Sequence, residues 1–222
     1  MSYTMDFGSV WPLREALLRG AGMTALLTLA ATGIGLALGL LLALLRGGNS
    51  GPLRYLAMAY IEIFRTTPAL VQLFWIYYSL PIFTGIQLSS FTSVGIGLGM
   101  HSAAYFAEIF RAGIESVERG QTHAARSLGM SRHQALRRIV LPQALQRMVP
   151  PLINEFVNLS KLTTLASTLA VYELMHEANN IIIDVQRPLE VYTVLAAIFF
   201  IILFPITLGS KWLEQRWVRR RY

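Results

Sequence analysis

Of 222 residues, 54% are hydrophobic and 14% charged, far below the roughly 25% charge of a soluble globular domain. Nineteen Lys and Arg against twelve Asp and Glu leave a net charge of +7. That excess lies between apolar runs, so it reads as membrane topology rather than nucleic-acid binding. The absence of cysteine excludes disulfides, thiolate metal sites and thiol catalysis.

The opening Met1-Ser-Tyr-Thr-Met-Asp6 has no basic region and no small-residue cleavage site ahead of a short apolar core. The first apolar run is therefore expected to be a retained anchor. Residues 21–45 are 25 uncharged residues, enough to cross a bilayer that needs about 20. Within them Gly35-x-x-x-Gly39 suggests a close helix contact. Gly-Gly-Asn-Ser-Gly-Pro at 47–52 reads as a tight turn. Thr66 to Ala107 holds 42 residues without Asp, Glu, Lys or Arg. Turn formers at 84–93 divide this run, giving spans at 55–80 and 92–112. A fourth span, 139–172, is interrupted by Pro142, Pro150, Pro151, Glu155 and Lys161, and 190–212 is the fifth. The expectation is one all-α membrane domain, 1–222, with five transmembrane helices.

Orientation follows from the placement of Lys and Arg. The first connection carries Arg46 and Arg54. The third carries Arg111, Arg119, Arg126, Arg132, Arg137 and Arg138, and the tail carries Lys211, Arg216, Arg219, Arg220 and Arg221. The connection at 81–91 has neither Lys nor Arg, and the one holding Glu173, Glu177, Asp184 and Glu190 has only Arg187. Arg14 and Arg19 are the contrary charges. The N-terminus is thus expected to be periplasmic and the C-terminus cytoplasmic.

The loop at 113–138 is helix, turn, helix. Gln121 to Leu128 are helix formers, and Gly129 stands where a left-handed residue closes a helix. Ser131 and Gln134 have the spacing of a capping box. On physics alone, an amphipathic helix resting on anionic headgroups is an even competitor to a partner-docking helix. A DNA-reading helix-turn-helix fails, because the second helix enters the membrane within about two turns.

The pattern Ala124-Ala125, Gly129 and Ile139-Val-Leu-Pro142 resembles the signature loop of ATP-binding-cassette importer permeases. Upstream, Ala104-Tyr-Phe-Ala-Glu-Ile-Phe-Arg-Ala-Gly-Ile-Glu-Ser-Val-Glu-Arg-Gly-Gln121 is similar to the polar amino-acid branch of that family. Glu62-Ile-Phe-Arg-Thr-Thr-Pro68-Ala-Leu-Val-Gln-Leu resembles its second span, and Leu159-Ser-Lys-Leu-Thr-Thr-Leu-Ala-Ser167 its fourth. The matches cover about 60–175 in family order.

The resemblance implies a short cytoplasmic coupling helix between spans three and four. An ATPase subunit would dock there on Gln121, His123, Ala124, Ala125, Arg126, Leu128, Gly129 and Met130. It implies further partners: two ATPases that bind ATP and Mg, a second permease chain (identical or homologous), an extracytoplasmic amino-acid-binding protein, and the lipid of a bacterial inner membrane. Family members usually carry Glu at the position of His123 and often Asp at that of Leu162. Docking here would then lean on shape and on the arginines. The sequence contains no G-x-x-x-x-G-K-[ST] phosphate loop, which fits a chain without an active site or a cofactor of its own.

Polar residues inside spans mark a path or a helix interface. The substrate-path candidates are Gln72, His101, Tyr105, Asn154, Glu155, Asn158 and Lys161. Asn154, Asn158 and Lys161 share one helical face and offer amide and ammonium groups to a zwitterion's carboxylate. Glu62 and Arg65, three residues apart, suit a gate or a structural ion pair. Interhelical hydrogen bonding competes with the path reading for each of these, and His101 reads equally as a packing residue. The alternatives are a secondary transporter or channel without an ATPase, against which the lack of an internal repeat speaks, and a membrane-embedded enzyme, for which no catalytic constellation is present.

Overall fold

The computed structural model describes residues 3–48 and 51–218, and among these every regular element is helical. A 3-10 turn at Trp11–Leu13, with Pro12 at its start, leads into α1, Arg14–Gly47. At 34 residues α1 is about 51 Å long, and it begins upstream of the expected 21–45. Among the described residues two helical stretches are long and apolar enough by composition to cross a membrane, Phe7–Gly47, which contains α1, and Pro188–Trp217 near the C-terminus.

The expected span 55–80 is corrected to two helices, α2 (Gly51–Thr66) and α3 (Ala69–Thr84). Pro68 disfavours the helical region for the residue before it and is itself extended at φ -63° and ψ 134°, a steric break to which hydropathy is blind. Gln72 repairs the break. Its Nε2 donates to Phe64 O at 3.0 Å, Thr67 O at 3.1 Å and Thr67 Oγ1 at 2.6 Å. The turn after α3 contains Gly85 at φ +71°, inside the expected turn at 84–93.

α4, Ser90–Glu115, is capped by Ser89, whose Oγ accepts from Thr92 N at 3.2 Å. Half of its 26 residues are buried, and it packs against α1, α2, α3 and the fourth expected span. Its small residues permit this. A Cβ on Gly35 of α1 would stand 2.2 Å from Ser102 Oγ, and one on Gly39 2.8 Å from Phe106 Cβ. The Gly35-x-x-x-Gly39 pair is therefore the seam where α1 and α4 meet.

After α4 come α5 (Arg119–Ser127), α6 (Arg132–Ala135) and α7 (Leu141–Leu162). A π turn at Leu136–Val140 joins α6 to α7, and a similar one at Trp75–Ser79 lies within α3. Each sits one turn before a proline, Pro142 and Pro81. The ring crowds the carbonyl four residues back and removes a donor, and the widened turn accommodates both effects. The expected 139–172 is likewise not one helix throughout: a 3-10 stretch, Thr163–Leu169, follows α7.

A second correction concerns the acidic connection around 173–190. It contains a 12-residue helix, α8, Leu174–Val185. Glu173 caps it, accepting from Met175 N at 3.0 Å and His176 N at 2.8 Å. Burial pushes that carboxyl up from its ordinary value while the two backbone donors pull it down. α9, Pro188–Val218, completes the bundle.

Two ends can be distinguished. Arg46 at the end of α1 bridges to Glu108 of α4 at 2.7 Å, and α5 lies at this same, basic end. At the other, Leu17 and Val10 pack with Leu174, Ala178 and Val191. Tyr3 donates to Glu190, and the Asp6 N–H reaches the same carboxylate at 3.0 Å.

Candidate functional site

The α5 loop is closed by hydrogen bonds that its sequence dictates. Gly129 adopts φ +84°. Its N–H donates to Arg126 O at 3.0 Å, and that of Met130 to Ala125 O at 3.1 Å. These are the two bonds of a Schellman cap. Ser131 then opens the next helix with both halves of a capping box, Gln134 N to Ser131 Oγ at 3.2 Å and Ser131 N to Gln134 Oε1 at 2.8 Å. Val117, Val140, Ala144 and Met148 form a small core that seats the loop on α7.

The outward surface carries Gln121, His123, Ala124, Arg126 and Gly129, with Leu128 81% exposed at the tip and Met130 half-buried. Ala125 is the exception among the docking residues expected from the sequence. It is 4% exposed and faces the chain's own interior. Arg119, Arg126, Arg132, Arg137 and Arg138 are exposed and make no ion pair among the described residues. A cleft of about 610 Å³ beside α5 is lined by Arg119, His123, Arg126 and Arg132. The loop thus offers a rigid, cationic surface with one apolar point.

Deeper, α2, α4 and α7 enclose a cleft of about 340 Å³ whose lining includes Arg65, Tyr105, Glu108, Ser116, Arg147, Pro151 and Glu155. The Arg65 guanidinium lies over the Tyr105 ring, 5.8 Å from its centroid. Arg147 donates through Nη1 to Ser116 O. Glu155 is 9% exposed, and its Oε1, like Arg147 Nε, has no hydrogen-bond partner among the described residues. Two buried polar atoms are thus left open in a cleft whose lining carries both charge signs.

Of the path candidates, Tyr105 and Glu155 meet in this cleft, joined by Arg65. The Glu62–Arg65 pair is absent, since Glu62 is exposed and Arg65 turns to Tyr105. Gln72 and His101 are 8% and 6% exposed, and His101 Nδ1 lies 2.9 Å from Gln72 Oε1. Because that oxygen only accepts, His101 carries the proton on Nδ1. Both side chains are engaged at the α2–α3 break and line none of this cleft. Asn154, Asn158 and Lys161 are exposed and line none of this cleft. Asn154 Oδ1 instead lies 3.4 Å from Ser210 Oγ of α9.

Residues 35–219 match the family described as the inner membrane component of binding-protein-dependent transport systems. The chain belongs to this family. It is a permease subunit of the inner membrane, the membrane component of such a system rather than its ATPase. The permease is 34% identical over 212 residues to the glutamine transport system permease protein GlnP of Escherichia coli (strain K12), covering 95% of this chain and 97% of that one. It is 38% identical over 209 residues to the L-cystine transport system permease protein TcyB of Bacillus subtilis (strain 168), covering 94% and 88%. A solved structure of an amino acid ABC transporter with histidines superposes with a TM-score of 0.91 at 37% identity, covering 96% of this chain and 100% of that one.

Glu108 and Arg147 are the permease cleft residues that sequence reasoning missed. Arg147, Pro151 and Glu155 recur every four residues and so share a face of α7, a signal that was available. Nothing in the sequence tells which face of α4 they meet. That contact depends on Gly113, where a Cβ would come 2.2 Å from Met148 Cγ.

Proposed function

We propose that this permease works in an ATP-driven importer of polar amino acids, as one of two permease chains enclosing a path. Two separate ATPases would grip the basic loops, and an extracytoplasmic binding protein would deliver the substrate. In this reading five segments cross the membrane: α1, α2 continued by α3, α4, α7 and α9. The N-terminus is periplasmic, and the α5 loop is the cytoplasmic coupling helix. The observation that carries the reading is the likeness, along nearly the whole chain, to a solved amino acid ABC transporter. It is supported by a loop whose two caps fix a short basic helix at the basic end of the bundle.

The division of labour is physical. The chain has no phosphate cradle, so the energy of nucleotide hydrolysis must arrive mechanically. A Schellman-capped helix seated on α7 suits that purpose, because a push on α5 is transmitted to α7, which also carries Arg147 and Glu155. In the cleft, Arg65 and Arg147 would receive the carboxylate of an amino acid and Glu155 its ammonium group. The test is reconstitution of the permease with its ATPase in vesicles loaded with ATP, scanning amino acids presented by the cognate binding protein. Polar amino acids are expected to raise ATP hydrolysis and to accumulate. Uptake that persists with no ATPase present would overturn the reading.

A further inference from the structure

At the basic end a separate cleft of about 460 Å³ lies between α1, α2, α4 and the start of α7. Its rim holds Arg46, Arg54 and Arg111. Arg46 is engaged by Glu108 at 2.7 Å, and Arg111 by both Glu108 and Glu115. Arg54 is exposed and has no ion-pair partner among the described residues. Three cations against two carboxylates leave the rim positive, with Arg54 the group free to act.

Below the rim the walls change character. Leu40, Leu44, Leu141 and Leu145 line the cleft and are 49%, 63%, 38% and 48% exposed. From Arg46 down to Leu40 the apolar wall runs about 9 Å along α1. Phosphate-binding chemistry therefore stands beside an apolar trench that runs along α1. We propose that this cleft binds an anionic phospholipid, its phosphate held by Arg54 beside Arg46 and one acyl chain lying against Leu44 and Leu145. A soluble ATPase cannot enter a leucine trench that continues the membrane-spanning part of α1. A second permease related by a two-fold axis would set like-charged rims against each other.

The inference requires the chain to be a membrane protein, which its family supplies, and is independent of the amino-acid reading. It is tested on the permease purified with its ATPase in mild detergent and stripped of lipid by prolonged exchange. Binding of phosphatidylglycerol, phosphatidylcholine or inorganic phosphate is then followed by native mass spectrometry. Phosphatidylglycerol is expected to bind at least about fivefold more tightly than phosphatidylcholine, and Arg54→Gln to remove about that factor. Arg54→Lys should retain most of it. Leu44→Trp, which fills the trench, should weaken both lipids and serves as the second variant if Arg54→Gln does not assemble. Equal binding of the two lipids, undiminished binding in Arg54→Gln, or full displacement by inorganic phosphate would overturn the proposal. So would lipid that binds only after the ATPase is removed, which would make the cleft an ATPase surface.

Discussion

Gly129 concentrates the coupling argument in one dihedral angle. A Cβ built there meets no atom within 4 Å, so space does not demand glycine; the φ of +84° does. An L-residue with a branched side chain pays about 1–2 kcal/mol in that region, whereas asparagine tolerates it. Gly129→Val is therefore expected to loosen the α5 cap and cut uptake about tenfold with membrane insertion unchanged. Gly129→Asn should retain uptake. Equal uptake in the two variants, measured in the same vesicles, would remove the rigid cap from the mechanism. Glu155 raises a different question, because its Oε1 has no partner in the cleft. Replacing it with the isosteric glutamine removes charge but little volume. If Glu155 receives the substrate ammonium, Glu155→Gln should raise the KM for uptake about tenfold or more and leave ATPase attachment untouched. An unchanged KM would make Glu155 a packing residue.

Helix seams obey the same logic at larger scale. Gly33 faces open space, while Gly39 touches Phe106 and Ala103 of α4. Gly39→Val should then lower stability by about 1–3 kcal/mol through overpacking, read as a fall in Tm in detergent, and Gly33→Ala should leave Tm unchanged or slightly raised. A similar drop for both would mean that the α1–α4 contact is not the limiting seam. The break between α2 and α3 is held by Gln72, so Gln72→Leu should strand the carbonyls of Phe64 and Thr67 and cost about 1–3 kcal/mol. How legible each element was follows from which force makes it. The apolar runs, the turn at Gly85 and both caps of the α5 loop were readable, because solvent exposure and local backbone chemistry decide them. The kink at Thr67 was missed although Pro68 was in view, because hydropathy runs straight through it. The acids of α8 read as a connection, although Leu174, Ala178 and Ile181 have helical spacing. The cleft was the least legible, since Glu108 and Arg147 meet only through the packing of α4 on α7.

For the whole molecule the ordering principle is charge against membrane. The two long apolar helices expose large side chains outward, among them Leu26, Leu29, Phe200, Ile201 and Phe204, which lipid or a second permease must cover. Across the bundle, arginines gather at one end, where Arg46, Arg54 and the five arginines of the α5 loop lie, while the loop at 81–91 has none. Lys and Arg resist translocation, so the basic end should stay in the cytoplasm. The natural absence of cysteine makes this directly measurable, since single cysteines can be added without background. Gln87, in the loop before α4, and Ser127, at the end of α5, are both exposed. In intact cells a membrane-impermeant thiol reagent should modify Gln87→Cys and spare Ser127→Cys. Permeabilisation should make Ser127→Cys reactive, and an added ATPase should protect it again. The reverse pattern would invert the topology and place the basic loop out of reach of any ATP-driven partner. Reactivity of Ser127→Cys that stays the same with and without the ATPase would leave the orientation intact and move the docking surface elsewhere.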